Sequence, residues 1–125
     1  MADEEFKTID QLLEAYKNGQ RKFENWDFEE DGSIEGLNLT GIEFYGCFLF
    51  LNFQNANLSN SKFIECNIKT ADFSGANLTN ALIKNCAVES TTFKGSINTG
   101  FRFEENYAYG AIATQKDFDA WIFDV

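Results

Sequence analysis

The 125-residue chain has no histidine, no proline, only three cysteines and half as many bases as acids, 10 against 20. Lacking histidine, it lacks the commonest general base and metal ligand of neutral pH. The cysteines, Cys47, Cys66 and Cys86, are an odd number, too few for a disulfide framework and wrongly spaced for a zinc site. A formal charge of −10 argues against binding nucleic acid through its phosphates. No apolar run approaches the roughly 20 residues that cross a bilayer, and the acidic start, Met1 to Phe6, is unlike a secretory leader. Gly-rich phosphate loops and activated-nucleophile motifs are missing too. Paired carboxylates such as Glu104 with Glu105, or Glu29 to Asp31, have no evident cleft to work in. The expectation is a non-catalytic, cytoplasmic protein with free thiols, no cofactor, no metal, no membrane and no direct nucleic-acid contact.

What is present is a repeat. From Leu51 the chain reads in fives: Leu51-Asn52-Phe53-Gln54-Asn55, Ala56-Asn57-Leu58-Ser59-Asn60, Ser61-Lys62-Phe63-Ile64-Glu65, and so on to Thr91-Thr92-Phe93-Lys94-Gly95. The third place is always Phe, Leu, Ile or Val, and the first is mostly small. Earlier units at Leu37-Asn38-Leu39, Ile42-Glu43-Phe44 and Cys47-Phe48-Leu49 keep the pattern shifted by one place, because the unit ending at Phe50 is one residue short. A period of five matches neither helix nor strand. It suits a chain that turns a corner every five residues, with the first and third side chains inward. Four such sides close a square coil of 20 residues, and coils stack at the strand spacing of roughly 4.8 Å.

These Ala-Asn-Leu-x-x and Ala-Asp-Phe-x-x units resemble the pentapeptide-repeat family over about Leu37 to Phe103, with weaker units at Phe23, Phe28 and Ile34. The resemblance implies an all-β solenoid, a right-handed quadrilateral β-helix of about four 20-residue coils. It also suggests a bacterial origin of the cyanobacterial type. Placing residues 20 apart in columns gives uniform sets: Phe53, Phe73 and Phe93 with Ile34; Leu39, Leu58 and Leu78; Phe44, Phe63, Ile83 and Phe103; Leu49, Ile68 and Val88. Cys47, Cys66 and Cys86 all take the first place before the last column. They read as an inward ladder of small, unreactive core residues, badly oriented for a disulfide.

A stack of coils exposes edges at both ends that need covering. Thr8 and Gln11 form a capping box, Ile9, Leu12, Leu13 and Tyr16 recur at helical spacing, and Lys17 and Gly19 mark the stop. At the other end Thr114 and Asp117 are set to cap a short helix bearing Phe118, Trp121 and Ile122. That helix would seal the last coil, or else make an end-on dimer contact; a monomer is the expected form. The organisation expected is one domain, 1–125, with an N-terminal helical cap over 1–20, the β-helix over 21–105 and a C-terminal cap over 106–125.

Some members of the family resemble duplex DNA in size and charge and bind DNA gyrase, so a DNA mimic is the alternative function the resemblance implies. Charge placement weakens it. Residues 1–36 hold 11 acids and 4 bases, whereas residues 37–105 hold 6 acids and 5 bases, so the prism itself is nearly neutral. The first expectation is a protein-interaction or scaffolding module with an unidentified protein partner. If Phe44, Cys47, Leu49, Leu51 and Phe53 point inward around the short unit, then Tyr45, Phe48 and Phe50 point outward. Three neighbouring exposed aromatics are the candidate interaction site. The alternative is intramolecular, with these rings packing against the N-terminal segment or Trp26. Asn38, Asn57 and Asn77 form a further outward column, read as structural.

Overall fold

The computed structural model describes residues 6–28 and 32–121, with the side chain of Trp121 outside that set. The predicted capping box is in place: Thr8 Oγ1 accepts from Gln11 N–H and Thr8 N–H donates to Gln11 Oε1 at the start of helix α1 (Ile9–Lys17). Nine short strands follow: β1 (Lys22–Glu24), β2 (Gly32–Ser33), β3 (Glu43–Tyr45), β4 (Leu51–Asn52), β5 (Lys62–Ile64), β6 (Leu82–Lys84), β7 (Arg102–Glu104), β8 (Asn106–Ala108) and β9 (Ala111–Ala113). Helix α2 (Gln115–Trp121) completes the described chain.

The square coil follows from backbone conformation at the fifth place of each unit. Asn55, Asn60, Glu65 and Thr70 all have φ between 56 and 65°, as do or nearly do their counterparts in the other coils. A left-handed residue every five turns the extended chain through a corner, and Gly and Asn, which adopt it at least cost, hold most of these places. Inward first and third side chains are buried throughout, from Leu51 and Phe53 to Cys86 and Val88. Four flat faces result, named here for one central residue each: Phe53, Leu58, Phe63 and Ile68. The result is a β-solenoid of about four turns with short helices at its ends.

Coils bond to one another in parallel register. On the Phe63 face the strands run in the order β1-β3-β5-β6-β7, bringing Phe23, Phe44, Phe63, Ile83 and Phe103 into one column. Single bridges such as Asn57↔Asn77 and Asn67↔Ala87 tie the other faces. The core is largely aromatic: Phe53 and Phe73 stack at 4.7 Å and 1°, Phe73 and Phe93 at 5.2 Å and 7°, while Phe63 meets Phe53 and Phe73 edge-on. Offset and edge contacts of this kind add about 0.5–1.5 kcal/mol each beyond the burial of the rings.

Both ends are closed. Leu12 of α1 is fully buried on the first coil, Ile9 packs where Gly32 leaves no Cβ, and Tyr16 hydroxyl donates to Thr40 O at 2.7 Å. At the far end backbone register outlasts the sequence motif, since Leu78 N–H still reaches Ile97 O and Val88 N–H reaches Tyr107 O. β9 then folds back antiparallel on β8, and α2 presses Phe118 onto Phe93, Phe101 and Phe103 at 4.7–5.4 Å. Phe118 is therefore a seal. Ile122 and Phe123, together with the side chain of Trp121, lie outside the described residues, as do Glu29, Glu30 and Asp31 of the acidic leader.

Candidate protein-interaction face

The stacked partners disclose how the short unit is accommodated. Asp27↔Phe48 are 21 residues apart, Gly32↔Leu51 are 19, and Asn52↔Asp72 are 20. The place missing after Phe50 is thus offset by one extra residue between Phe28 and Ile34, a compensation visible in the sequence as a spacing of six. Leu51 follows Phe50 directly and is still buried, as are Phe44, Cys47, Leu49 and Phe53. The inward set is the predicted one, and Tyr45, Phe48 and Phe50 point outward.

These three residues do not form one cluster. Phe48 and Phe50 occupy the second and fourth places of the Ile68 face, with ring centroids 6.1 Å apart and planes at 64°. Phe48 is 48% exposed and Phe50 half-buried. Tyr45 sits on the neighbouring Phe63 face, where its hydroxyl donates to Glu43 Oε1 at 2.7 Å and Lys22 Nζ lies 5.1 Å from the ring centroid. The hydrogen bond to Glu43, with burial and the charges of Glu43 and Glu24, pushes the phenol up to about 12. Trp26 is engaged elsewhere: it packs on Phe23 at 4.8 Å and Phe28 at 6.4 Å, with Lys7 Nζ at 4.9 Å from its ring.

Column register shows what the sequence reading missed. The second place of the Ile68 face runs Asp27, Phe48, Asn67, Ala87, Tyr107, each bridged to the next. The fourth place runs Phe50, Lys69, Glu89, Tyr109. Tyr107 is 49% and Tyr109 75% exposed, and Ile112 of β9, paired across from Tyr107, is 61% exposed. One face therefore carries an aromatic pair near each end, three coil spacings or roughly 14 Å apart. Between them lie the small Asn67 and Ala87, with Lys69 and Glu89 paired at 3.7 Å. The column arithmetic that aligned Phe53 with Phe73 would have aligned Phe48 with Tyr107.

At the corner left open by the deletion is a groove of about 330 Å³, lined by Gly32, Phe50, Leu51, Asn52, Thr70 and Asp72. The Asp72 carboxyl is held below the usual carboxylate range: burial opposes ionisation, and hydrogen bonds from Ser74 and Thr92 outweigh it. Elsewhere the outward Asn columns are satisfied within their own units. Asn38, Asn57 and Asn77 each accept the backbone N–H two residues on, as Asn52 and Asn67 also do.

The cysteine ladder does more than fill space. At this corner the first-place N–H is not bonded within its own turn, as it is for Ala56 N–H to Phe53 O at 3.1 Å. Side chains of the next coil take over. Cys47 Sγ accepts from Trp26 N–H, Cys86 Sγ from Cys66 N–H and Asn106 Oδ1 from Cys86 N–H, at 3.3, 3.3 and 2.9 Å. The same groups donate back to carbonyls: Cys47 to Phe23, Cys66 to Phe44, Cys86 to Phe63 and Asn106 to Ile83. A small residue with both donor and acceptor is required, and buried Asn106 is the fourth rung. All three thiols are free. Hydrogen bonding to Cys66 and burial drive the Cys47 thiol far up. At Cys66 the contact with Cys47 works downward, but the contact with Cys86 and burial leave it at about 12. Among the described residues no group of three His, Cys, Asp or Glu could hold a metal ion, and no helix is long and apolar enough to cross a membrane.

A left-handed corner every five residues, aromatic columns inside and parallel bridges between coils are the marks of a repeat solenoid, and the comparisons agree with that fold. The family model for pentapeptide repeats matches residues 52–86 in eight copies. The chain carries pentapeptide repeats over those residues and resembles the pentapeptide-repeat proteins. Among solved structures, it is similar to HetL, described as a pentapeptide repeat protein involved in heterocyst differentiation regulation in the cyanobacterium Nostoc sp. strain PCC 7120. Identity there is 16% and the TM-score 0.65, over 80% of this chain and 44% of HetL. It is also similar to QnrB1, a plasmid-mediated fluoroquinolone resistance protein, at 26% identity and TM-score 0.59, over 70% of this chain and 47% of that one. The chain spans less than half the length of either. No curated protein matches it significantly.

Proposed function

We propose that this protein is a non-catalytic, cytoplasmic interaction module that binds a protein partner as a monomer through its Ile68 face. The observation that carries the reading is the exposed, mutually packed pair Phe48 and Phe50 on a rigid face whose other end bears Tyr107, Tyr109 and Ile112. Exposed aromatics on a pre-formed surface are what the centre of an interface is made of, because they bury area with little loss of side-chain freedom. Tyr45, bonded to Glu43 around the corner, belongs to the rim of such a site. A DNA mimic that binds gyrase needs a negative strip along the prism. The prism instead carries 5 bases against 6 acids, three of the latter paired in the ion pairs of Lys69, Arg102 and the Tyr45–Glu43 contact.

The test is capture by cross-linking from the native lysate, with wild type beside Phe48→Ser/Phe50→Ser and Tyr107→Ser variants of unchanged fold. A partner held by wild type and lost by both variants is the expected result. Gyrase subunits retained by all three would favour the acidic surface over the aromatic face. No specific partner with any of them would overturn the reading.

A further inference from the structure

The groove at the open corner brings an aromatic residue and a carboxylate together. Its wall is the Phe50 ring, and its polar lining is Asn52, Thr70 and Asp72. Asp72 is ionised at neutral pH, yet among the described residues no lysine or arginine pairs with it; the ion pairs there join Lys22 to Glu24, Lys69 to Glu89 and Arg102 to Glu104. Asn52 accepts from Gln54 N–H through its Oδ1, which leaves the amide NH2 as the group it can offer a ligand. In a regular coil a fifth-place residue would fill this corner, as Thr70 does one coil further on.

We infer that the groove takes a guanidinium group, an arginine side chain of the protein partner laid against Phe50 with Asp72 as its counter-charge. This rests on the Ile68 face being the interaction face, since Phe50 belongs to both. The chemistry is specific in shape as well as sign. A planar cation stacks on an aromatic ring while its edge donors reach a carboxylate, which an ammonium group does less well. The carboxylate and ring stand ready before binding, because Asp72 is fixed by Ser74 and Thr92 and Phe50 by Phe48.

The test is a titration of the full chain with N-acetyl-arginine amide, followed by amide proton and nitrogen NMR shifts, with N-acetyl-citrulline amide as the uncharged isostere and N-acetyl-lysine amide as the alternative cation. Arginine should give saturable shifts at Phe50, Leu51, Asn52, Thr70 and Asp72, and citrulline none. Asp72→Asn should weaken binding by about two- to five-fold, the size of one semi-exposed ion pair. That substitution keeps the local turn, because Asn makes the same bond at Asn52, Asn57 and Asn77. Phe50→Leu should weaken binding similarly. Equal shifts with citrulline, shifts elsewhere, or an Asp72→Asn variant that binds as wild type would overturn the inference. A partner captured by Asp72→Asn but lost by Phe48→Ser/Phe50→Ser would overturn it while leaving the interaction face standing.

Discussion

From Asn52↔Asp72 to Ala87↔Tyr107 every stacked pair in this protein is 20 residues apart, whereas below that the spacing is first 21 and then 19. The two regions share one core: Phe44 packs on Phe63 at 5.4 Å with the planes tilted by 32°, and Phe53 stacks coplanar on Phe73 at 4.7 Å. They differ outside. In the regular coils the second and fourth places are mostly polar or small, with Ile64, Leu82, Ile97, Tyr107 and Tyr109 the large apolar ones, and Asn57, Asn67, Asp72 and Asn77 each accept from the backbone N–H two residues on. Where the count breaks, the same places hold Phe48 and Phe50, and a corner stands open. Where the count holds, the Asn and Asp places satisfy themselves; where it breaks, a packed ring pair and an open corner are left.

The sharpest way to break that contrast is to treat an inward ring as if it were outward. Phe73→Ala removes a fully buried ring stacked on both sides and should cost about 3–5 kcal/mol in equilibrium denaturation. Next in size, Asn106→Leu takes the acceptor from buried Cys86 N–H and the side-chain donor from Ile83 O and should cost about 1–3 kcal/mol. Because it ends the thiol ladder, labelling of Cys86 by a thiol reagent should accelerate in that variant and stay slow in wild type until the chain unfolds.

How much of this was legible in the sequence differs by element. The period of five, the columns and the N-terminal cap could be read directly, because each rests on local chemistry: inward bulk at every third place, a Thr8–Gln11 box, helical spacing of Ile9, Leu12 and Tyr16. Phe48 and Phe50 were legible as outward because a deletion inverts the count. Tyr107 was masked, since its unit has Ala108 at the centre and Asn106 at the first place; the count of 20 from Ala87 reaches it only if the repeat is carried past the point where its motif fades, as backbone register shows it is. Asn106 itself looks like lost regularity in the sequence; in the structure it replaces a cysteine as donor and acceptor. The open groove depends on Asn52, Thr70 and Asp72 coming from two coils, which no single unit shows.

Smaller effects sharpen the comparison at the corners. Thr70 holds φ at 65°, a conformation costly for a β-branched residue, and Thr70→Gly should raise stability by about 1 kcal/mol in a denaturant titration. Ser61 buries a hydroxyl that finds no partner among the described residues, so Ser61→Ala should be neutral or stabilising by up to about 1 kcal/mol. Asp72 gives the pH signature. With its folded pKa below the unfolded one, its contribution is complete above the unfolded value and is lost as pH falls through the folded one. Asp72→Asn should therefore lower stability in the neutral region, flatten the acid limb of a thermal-stability profile and converge with wild type at low pH.

The measurement that bears most directly on the outward aromatics is the folding stability of Phe48→Ser/Phe50→Ser beside wild type in urea. If the rings serve a partner and not the fold, the two curves should agree to within about 1 kcal/mol, the size of one exposed ring–ring contact, with the same slope. A loss of about 3 kcal/mol or more, the mark of a buried ring, would make Phe48 and Phe50 part of the core and contradict the account.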